Sequence, residues 1–200
     1  MQTSGSADPI VADSTERTGC SGVLGGQEDS NRRSTLWGSP AGIAPVLVLG
    51  LGNPLMADDG AGQALLATLE SAATDWGNSV EFVDGGTQGL ALLGQFEDRK
   101  AVIFLDAIRL GDPAGAVHVL EGDELCRLGG ARAKTAHEGS APQILSALQL
   151  LEQLPKHVAI VGLEPERIET GIGLSSSVQS SLGVAASFAR MTITKILTAI

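Results

Sequence analysis

Several acids stand where apolar runs stop, and this placement is the first chemical signal in the chain. Asn53 and the pair Asp58 and Asp59 fall in Gly50-Leu-Gly-Asn-Pro-Leu-Met-Ala-Asp-Asp-Gly60. Asp84 opens Asp84-Gly-Gly-Thr87, Asp106 closes Ala101-Val-Ile-Phe-Leu105, and Glu164 follows His157-Val-Ala-Ile-Val-Gly162. His137 stands in a polar stretch ahead of an expected helix. Two carboxylates and an imidazole on one rim form an O, O, N donor set for a divalent metal, with positions left for water or a substrate group. Each residue also has an ordinary reading. Asp58 or Asp59 can cap a helix, Asp84 can shape a turn before two glycines, and a loop histidine can simply face water. Asp106 is harder to explain by turn chemistry, because five apolar residues precede it directly. His118 alternates outward in an expected edge strand and His157 opens another, so both are set aside.

Other chemistries find little support. There is no Gly-x-Ser-x-Gly elbow for a serine nucleophile. Cys20 lies in a polar tail, and Cys126 sits in an acidic segment that raises a thiol pKa. Two cysteines so far apart suggest neither a disulfide framework nor a Cys-x-x-Cys metal site, and a reducing cytoplasm is expected. Gly50-Leu-Gly52 hints at a dinucleotide turn. The third glycine of that motif falls at Leu55, however, Pro54 interrupts the turn, and Asp58 and Asp59 would repel a pyrophosphate.

These residues need a scaffold that delivers them to one edge. Val46-Leu-Val-Leu49 reads as a strand buried on both faces. Ala61, Leu65, Leu69 and Ala72 then share one helical face. Val80–Val83 is a second strand, and a short helix is expected near Gly89–Phe96. Ala101–Leu105 is a third strand and 116–120 a fourth. The link from Asp106 to the fourth is too short for a helical crossover, so that strand is expected to be antiparallel and at an edge. A helix over about 141–154, a fifth strand over 157–162 and a long helix over about 175–200 complete the pattern. The expected fold class is α/β, a three-layer α/β/α sandwich on a mostly parallel five-stranded sheet with one antiparallel edge strand. In open sheets of this kind ligands bind beyond the carboxyl ends of the strands, where the acids fall.

Composition agrees with one domain. The 200 residues are 43% hydrophobic but only 3% aromatic, with no Tyr, so the core must rest on Leu, Val, Ile and Ala. A net charge of −10 disfavours a nucleic-acid partner. No apolar run reaches membrane-spanning length and no signal peptide is visible, so no membrane association is expected. Residues 1–43 are rich in Ser, Gly and Thr and poor in apolar periodicity, so a disordered extension is expected there, with a single domain over 44–200.

With these residues in hand, the chain resembles the hydrogenase maturation endopeptidases over roughly residues 45 to 195. The resemblance rests on Val-Leu-Gly-Leu-Gly-Asn-Pro-Leu-Met-Ala-Asp-Asp-Gly-Ala-Gly (48–62), Asp-Gly-Gly-Thr-Gln-Gly-Leu (84–90), Leu-Asp-Ala-Ile (105–108), the stretch around His137 and Gly-Leu-Glu-Pro-Glu (162–166), in the family's order. It implies a cytoplasmic, monomeric protease of aspartic type that trims the C-terminal extension from the large-subunit precursor of a nickel–iron hydrogenase. It also implies a metal site of Asp59, Asp106 and His137, with Asp59 and Asp106 contributing to hydrolysis and nickel supplied by the precursor. Some members carry Glu where Asp59 stands, one methylene longer. The segments holding Asn53, Asp58, Asp84, Gly85, Gly86 and Thr87 are assigned to substrate-facing loops. Two rivals share features. Peptidyl-tRNA hydrolases begin with the same Gly-Leu-Gly-Asn-Pro but require a basic face and a Thr-Arg-His-Asn segment, where this chain has Met-Ala-Asp-Asp. A metal-delivery chaperone would use the same three ligands without cutting.

Overall fold

A computed structural model describes residues 42–71, 75–122, 124–125 and 139–200. All belong to one compact unit spanning residues 33–200. Apart from its last two positions, the stretch expected to be disordered lies outside the described residues, as do Cys20, Ala72, Cys126 and His137.

The sheet has five strands in the order β2-β1-β3-β5-β4, namely β1 (Val46–Leu51), β2 (Val80–Gly86), β3 (Ala101–Ala107), β4 (Val117–Glu121) and β5 (His157–Leu163). The pairs β1–β2, β1–β3 and β3–β5 are parallel, while β4 runs antiparallel to β5 at the edge. The short link after Asp106 produces the edge strand expected of it.

Side chains alternate across the sheet and define two cores. Val46 and Val48 face α1 (Ala61–Glu70) and the long helix α3 (Ser176–Ala199). Leu47, Leu49 and Leu51 face α2 (Ala141–Leu150) and the 3-10 stretch Gly89–Phe96. Every residue of β1 is buried, which is why its sequence shows no polar alternation. Ala61, Leu65 and Leu69 are buried along one face of α1, as their spacing requires. The result is the expected three-layer sandwich.

One local expectation differs from what forms. The 141–154 helix stops at Leu150, and Glu152 then adopts a positive φ of 56° that no helix continues through. The short helix expected after β2 forms over Gly89–Phe96 as a 3-10 helix and buries Leu92 and Phe96.

Strand order determines where a ligand can enter. The chain leaves β1 toward β2 on one side, and returns to β3 on the other. The switch therefore lies between β1 and β3, and a crevice opens beyond their carboxyl ends.

Candidate functional site at the carboxyl ends of the first and third strands

Residue Gly50 of β1 is level with Leu105 of β3, so Asp106 emerges beside the turn that follows β1. That turn is tight. Gly52 has φ 120°, and a Cβ there would lie 1.8 Å from the carbonyl oxygen of Asp59, so only glycine lets the turn close on itself. The Asn53 amide then donates to Oδ2 of Asp59 at 2.9 Å. Residues Ala57–Gly60 make a 3-10 turn leading into α1. At Gly62, a Cβ would lie 2.2 Å from the Leu105 carbonyl oxygen and 2.4 Å from that of Leu51. The first turn of α1 is thus seated directly on the ends of β1 and β3. This seat is what carries Asp59 to the same crevice as Asp106.

Both carboxylates are buried, Asp59 at 2% and Asp106 at 1% exposure. Oδ1 of Asp106 accepts the Ala107 amide at 2.8 Å, and Oδ2 accepts the Ala141 amide at 3.1 Å. Ala141 opens α2, so this carboxylate stands at the positive end of a helix dipole.

The loop after β2 reaches the same rim. Asp84 is exposed, and its Oδ1 accepts from Gln63 Nε2 at 2.7 Å and from the Gly86 amide at 3.0 Å. Backbone of this loop approaches the start of α2 closely. A Cβ on Gly139 would meet Gly89 Cα at 3.3 Å and the Thr87 carbonyl oxygen at 3.4 Å. Asn53, Asp59, Asp84 to Thr87 and Asp106 therefore share one rim. His137 belongs to a segment outside the described residues. Among the described residues no group of three or more His, Cys, Asp or Glu side chains is arranged to hold a metal ion.

Asp58 takes a separate role from its neighbour. It is fully buried and makes no side-chain cap to the helix it precedes. Its Oδ2 accepts the amides of Glu166 and Arg167 at 2.9 and 3.0 Å, and its Oδ1 accepts that of Ser175 at 2.6 Å. Burial works to raise its pKa, but the hydrogen bonds from Ser175, Arg167 and Glu166 outweigh it, and the carboxyl is held below its ordinary value of 3.8. The effect is to strap residues 166–175 against the first loop. Backbone bonds from Ala57 to the Gly171 carbonyl and from Gly171 to the Leu55 carbonyl reinforce the strap.

A family model for hydrogenase maturation proteases matches residues 64–190. The chain belongs to the hydrogenase maturation protease family. It is 36% identical over 126 residues to the hydrogenase expression/formation protein HupD of Bradyrhizobium diazoefficiens, a match covering 62% of this chain and 64% of that one. It is 34% identical over 140 residues to the hydrogenase 2 maturation protease of Escherichia coli, covering 68% and 83% of the two chains. Among solved structures, the hydrogenase maturating endopeptidase HybD of E. coli superimposes with a TM-score of 0.63 at 30% identity, over 75% of this chain and 92% of the other. The chain spans between 56% and 64% of the length of three curated expression/formation proteins that it matches.

Two polar residues near the rim of this family member are given no role by the sequence pattern. Gln63 stands four positions after Asp59, on the same face of the turn, and that spacing was the available signal. Glu164 is 4% exposed and accepts the amides of Leu110 and Gly111 at 2.8 and 3.2 Å, which pins the loop leaving Asp106. His118 is correspondingly not the outward residue expected. Its side chain is only 12% exposed and its Nε2 lies 3.5 Å from Glu164 Oε2. The reason is its parity with Leu120, which packs on the core facing α2, so His118 points under the 110–112 loop rather than into water.

Proposed function

We propose that this chain is an endopeptidase that removes the C-terminal extension from the nickel-loaded precursor of a nickel–iron hydrogenase large subunit. The observation that carries the reading is the pair of buried carboxylates, Asp59 and Asp106, at the switch point of the sheet. In this reading nickel arrives as part of the substrate. Asp59, Asp106 and His137 engage it, and cleavage follows metal insertion because an empty precursor offers them no cation. His137 stands four positions before Ala141 in the sequence, and Ala141 donates its amide to Asp106. Hard carboxylate oxygens and an imidazole suit a divalent transition metal.

Hydrolysis then requires a water to attack the scissile carbonyl and to lose a proton. A carboxylate of the pair accepts that proton and returns it to the scissile nitrogen as the C–N bond breaks, so the extension leaves as a peptide with a new amine and the large subunit keeps a new carboxylate. A buried setting strengthens each electrostatic contact, since the effective dielectric falls away from bulk water. The loops holding Asn53, Asp84, Gly85, Gly86 and Thr87 face the precursor. Asp58 serves it indirectly, through the strap. The protease acts as a cytoplasmic monomer in this reading. No helix among the described residues is long and apolar enough to cross a membrane.

The test is to incubate the purified protein with nickel-loaded and nickel-free precursor and to measure the precursor's mass. Shortening of the loaded form alone is expected. Equal shortening of both forms would remove nickel from the mechanism. Binding of the loaded form with no shortening of either would favour a delivery chaperone instead.

A further inference from the structure

A cavity of about 460 Å³ lies between the first loop, α1, the end of β2 and the strap. Its apolar lining includes Pro54, Ala64, Ile172 and Leu174, and its polar edge is the Gln63–Asp84 pair. That volume is at the lower end for ligand pockets, enough for a side chain with its flanking backbone and small for a nucleotide cofactor. The cavity reaches the rim of the candidate site, because Asp84 of that rim forms part of its wall, together with Gly60 of the first loop.

Ile172 is the informative residue. It is 87% exposed, although it stands on a strap held by the buried Asp58 carboxylate and by backbone bonds to the first loop. Neighbouring Leu55 is 60% exposed. Folding alone does not call for two large apolar side chains facing water on so firmly held a segment. Ile172 becomes buried if an apolar group enters the cavity that it lines.

We propose that this cavity is a specificity subsite, which receives an apolar side chain of the precursor segment next to the scissile bond. This rests on the peptidase reading above. A peptide crossing the rim past Asp59 and Asp106 has the cavity at its flank, so one apolar side chain anchors the chain while the reacting bond lies over the carboxylates. An apolar pocket of this size discriminates by the fit of a few methylenes, worth roughly 10- to 200-fold in kcat/KM.

The experiment records binding and cutting of the nickel-loaded precursor separately, by surface-immobilised binding and by mass. Ile172→Asp places a charge at the cavity mouth and is expected to weaken binding and lower kcat/KM by about tenfold to a hundredfold, with circular dichroism unchanged. Ile172→Leu is expected to stay within about threefold of the parent. Leu150→Asp is the control for loss of an exposed apolar residue. Leu150 is 85% exposed and ends α2, nine residues and so about 13 Å along the helix from the Ala141 end at the rim. It is expected to bind and cut as the parent does. If Ile172→Asp binds and cuts like the parent, or falls no further than Leu150→Asp, the subsite is wrong. A parent protein that binds the precursor without cutting it overturns the peptidase reading while the Ile172 variants still decide the subsite. A parent that neither binds nor cuts overturns both.

Discussion

Replacing Asp58 by Ala would remove one buried acceptor group and strand three amide donors, that of Ser175 buried and those of Glu166 and Arg167 partly so. The amides of Glu166, Arg167 and Ser175 all donate to this carboxylate, at 2.9, 3.0 and 2.6 Å. A buried donor left without a partner costs about 1–3 kcal/mol. The strap can turn some of these amides toward water, so the sum is not reached, and a loss of about 3–4 kcal/mol at neutral pH is expected, in the range for breaking a buried charged network. For a unit of this size each kcal/mol lowers Tm by roughly 2–4 °C, which places the variant about 10 °C below the parent. Asp58→Asn should lose less, about 2 kcal/mol, because its carbonyl can still serve Glu166 and Arg167 while its amino group opposes the Ser175 amide. The pH dependence has a definite sign. Asp58 titrates below 3.8 in the folded protein and near that value when unfolded. Its stabilisation is therefore complete above pH 4 and is lost as pH falls through the lower folded value. The gap in Tm between the parent and Asp58→Ala should be constant from pH 7 to about pH 5 and narrow below about pH 4. Thermal unfolding followed by circular dichroism measures it. A gap under about 2 °C, or one that narrows on going from pH 5 to pH 7, would refute the reasoning.

Three further outcomes follow from the same geometry. Asp106→Asn should lower precursor processing by about a hundredfold, measured by mass, while the protein stays folded, because the amide keeps the shape but cannot accept a proton as a carboxylate does. Gly62→Ala should cost about 3 kcal/mol or prevent soluble expression, since its Cβ would lie 2.2 Å from a backbone oxygen that the sheet holds in place, and the urea midpoint reports it. Glu164→Ala should cost about 2–3 kcal/mol by leaving the Leu110 and Gly111 amides without their acceptor, and amide hydrogen exchange should localise the loss to the loop after β3.

Two adjacent acids, Asp58 and Asp59, show where sequence reasoning stops. Both suit a helix start, and nothing in Ala-Asp-Asp-Gly says that one turns toward Asn53 and the crevice while the other meets amides more than a hundred residues away. The separation was assigned at Asp59 from a resemblance, and the partners of Asp58 became visible only with the fold. His118 shows the converse. Strand alternation assigned it a side of the sheet, but whether that side is wet depends on Glu164 and the 110–112 loop arriving over it. Ile172 carries no motif at all, and its exposure has meaning only because the segment beneath it is strapped down.

What the sequence determined by itself is the scaffold and the residues at its edge. Runs such as Val46–Leu49 and Ala101–Leu105 can be satisfied only between two layers of helices, and a short link after Asp106 can only make an antiparallel edge. An acid after such a run must then fall at the sheet's rim. The tertiary structure decided which acids meet. Gly62 brings α1 onto the carbonyls of Leu51 and Leu105, and this contact, rather than any local preference, sets Asp59 beside the strand that carries Asp106. Close backbone approach of that kind depends on two distant segments being packed together, and no spacing along the chain encodes the distance between them.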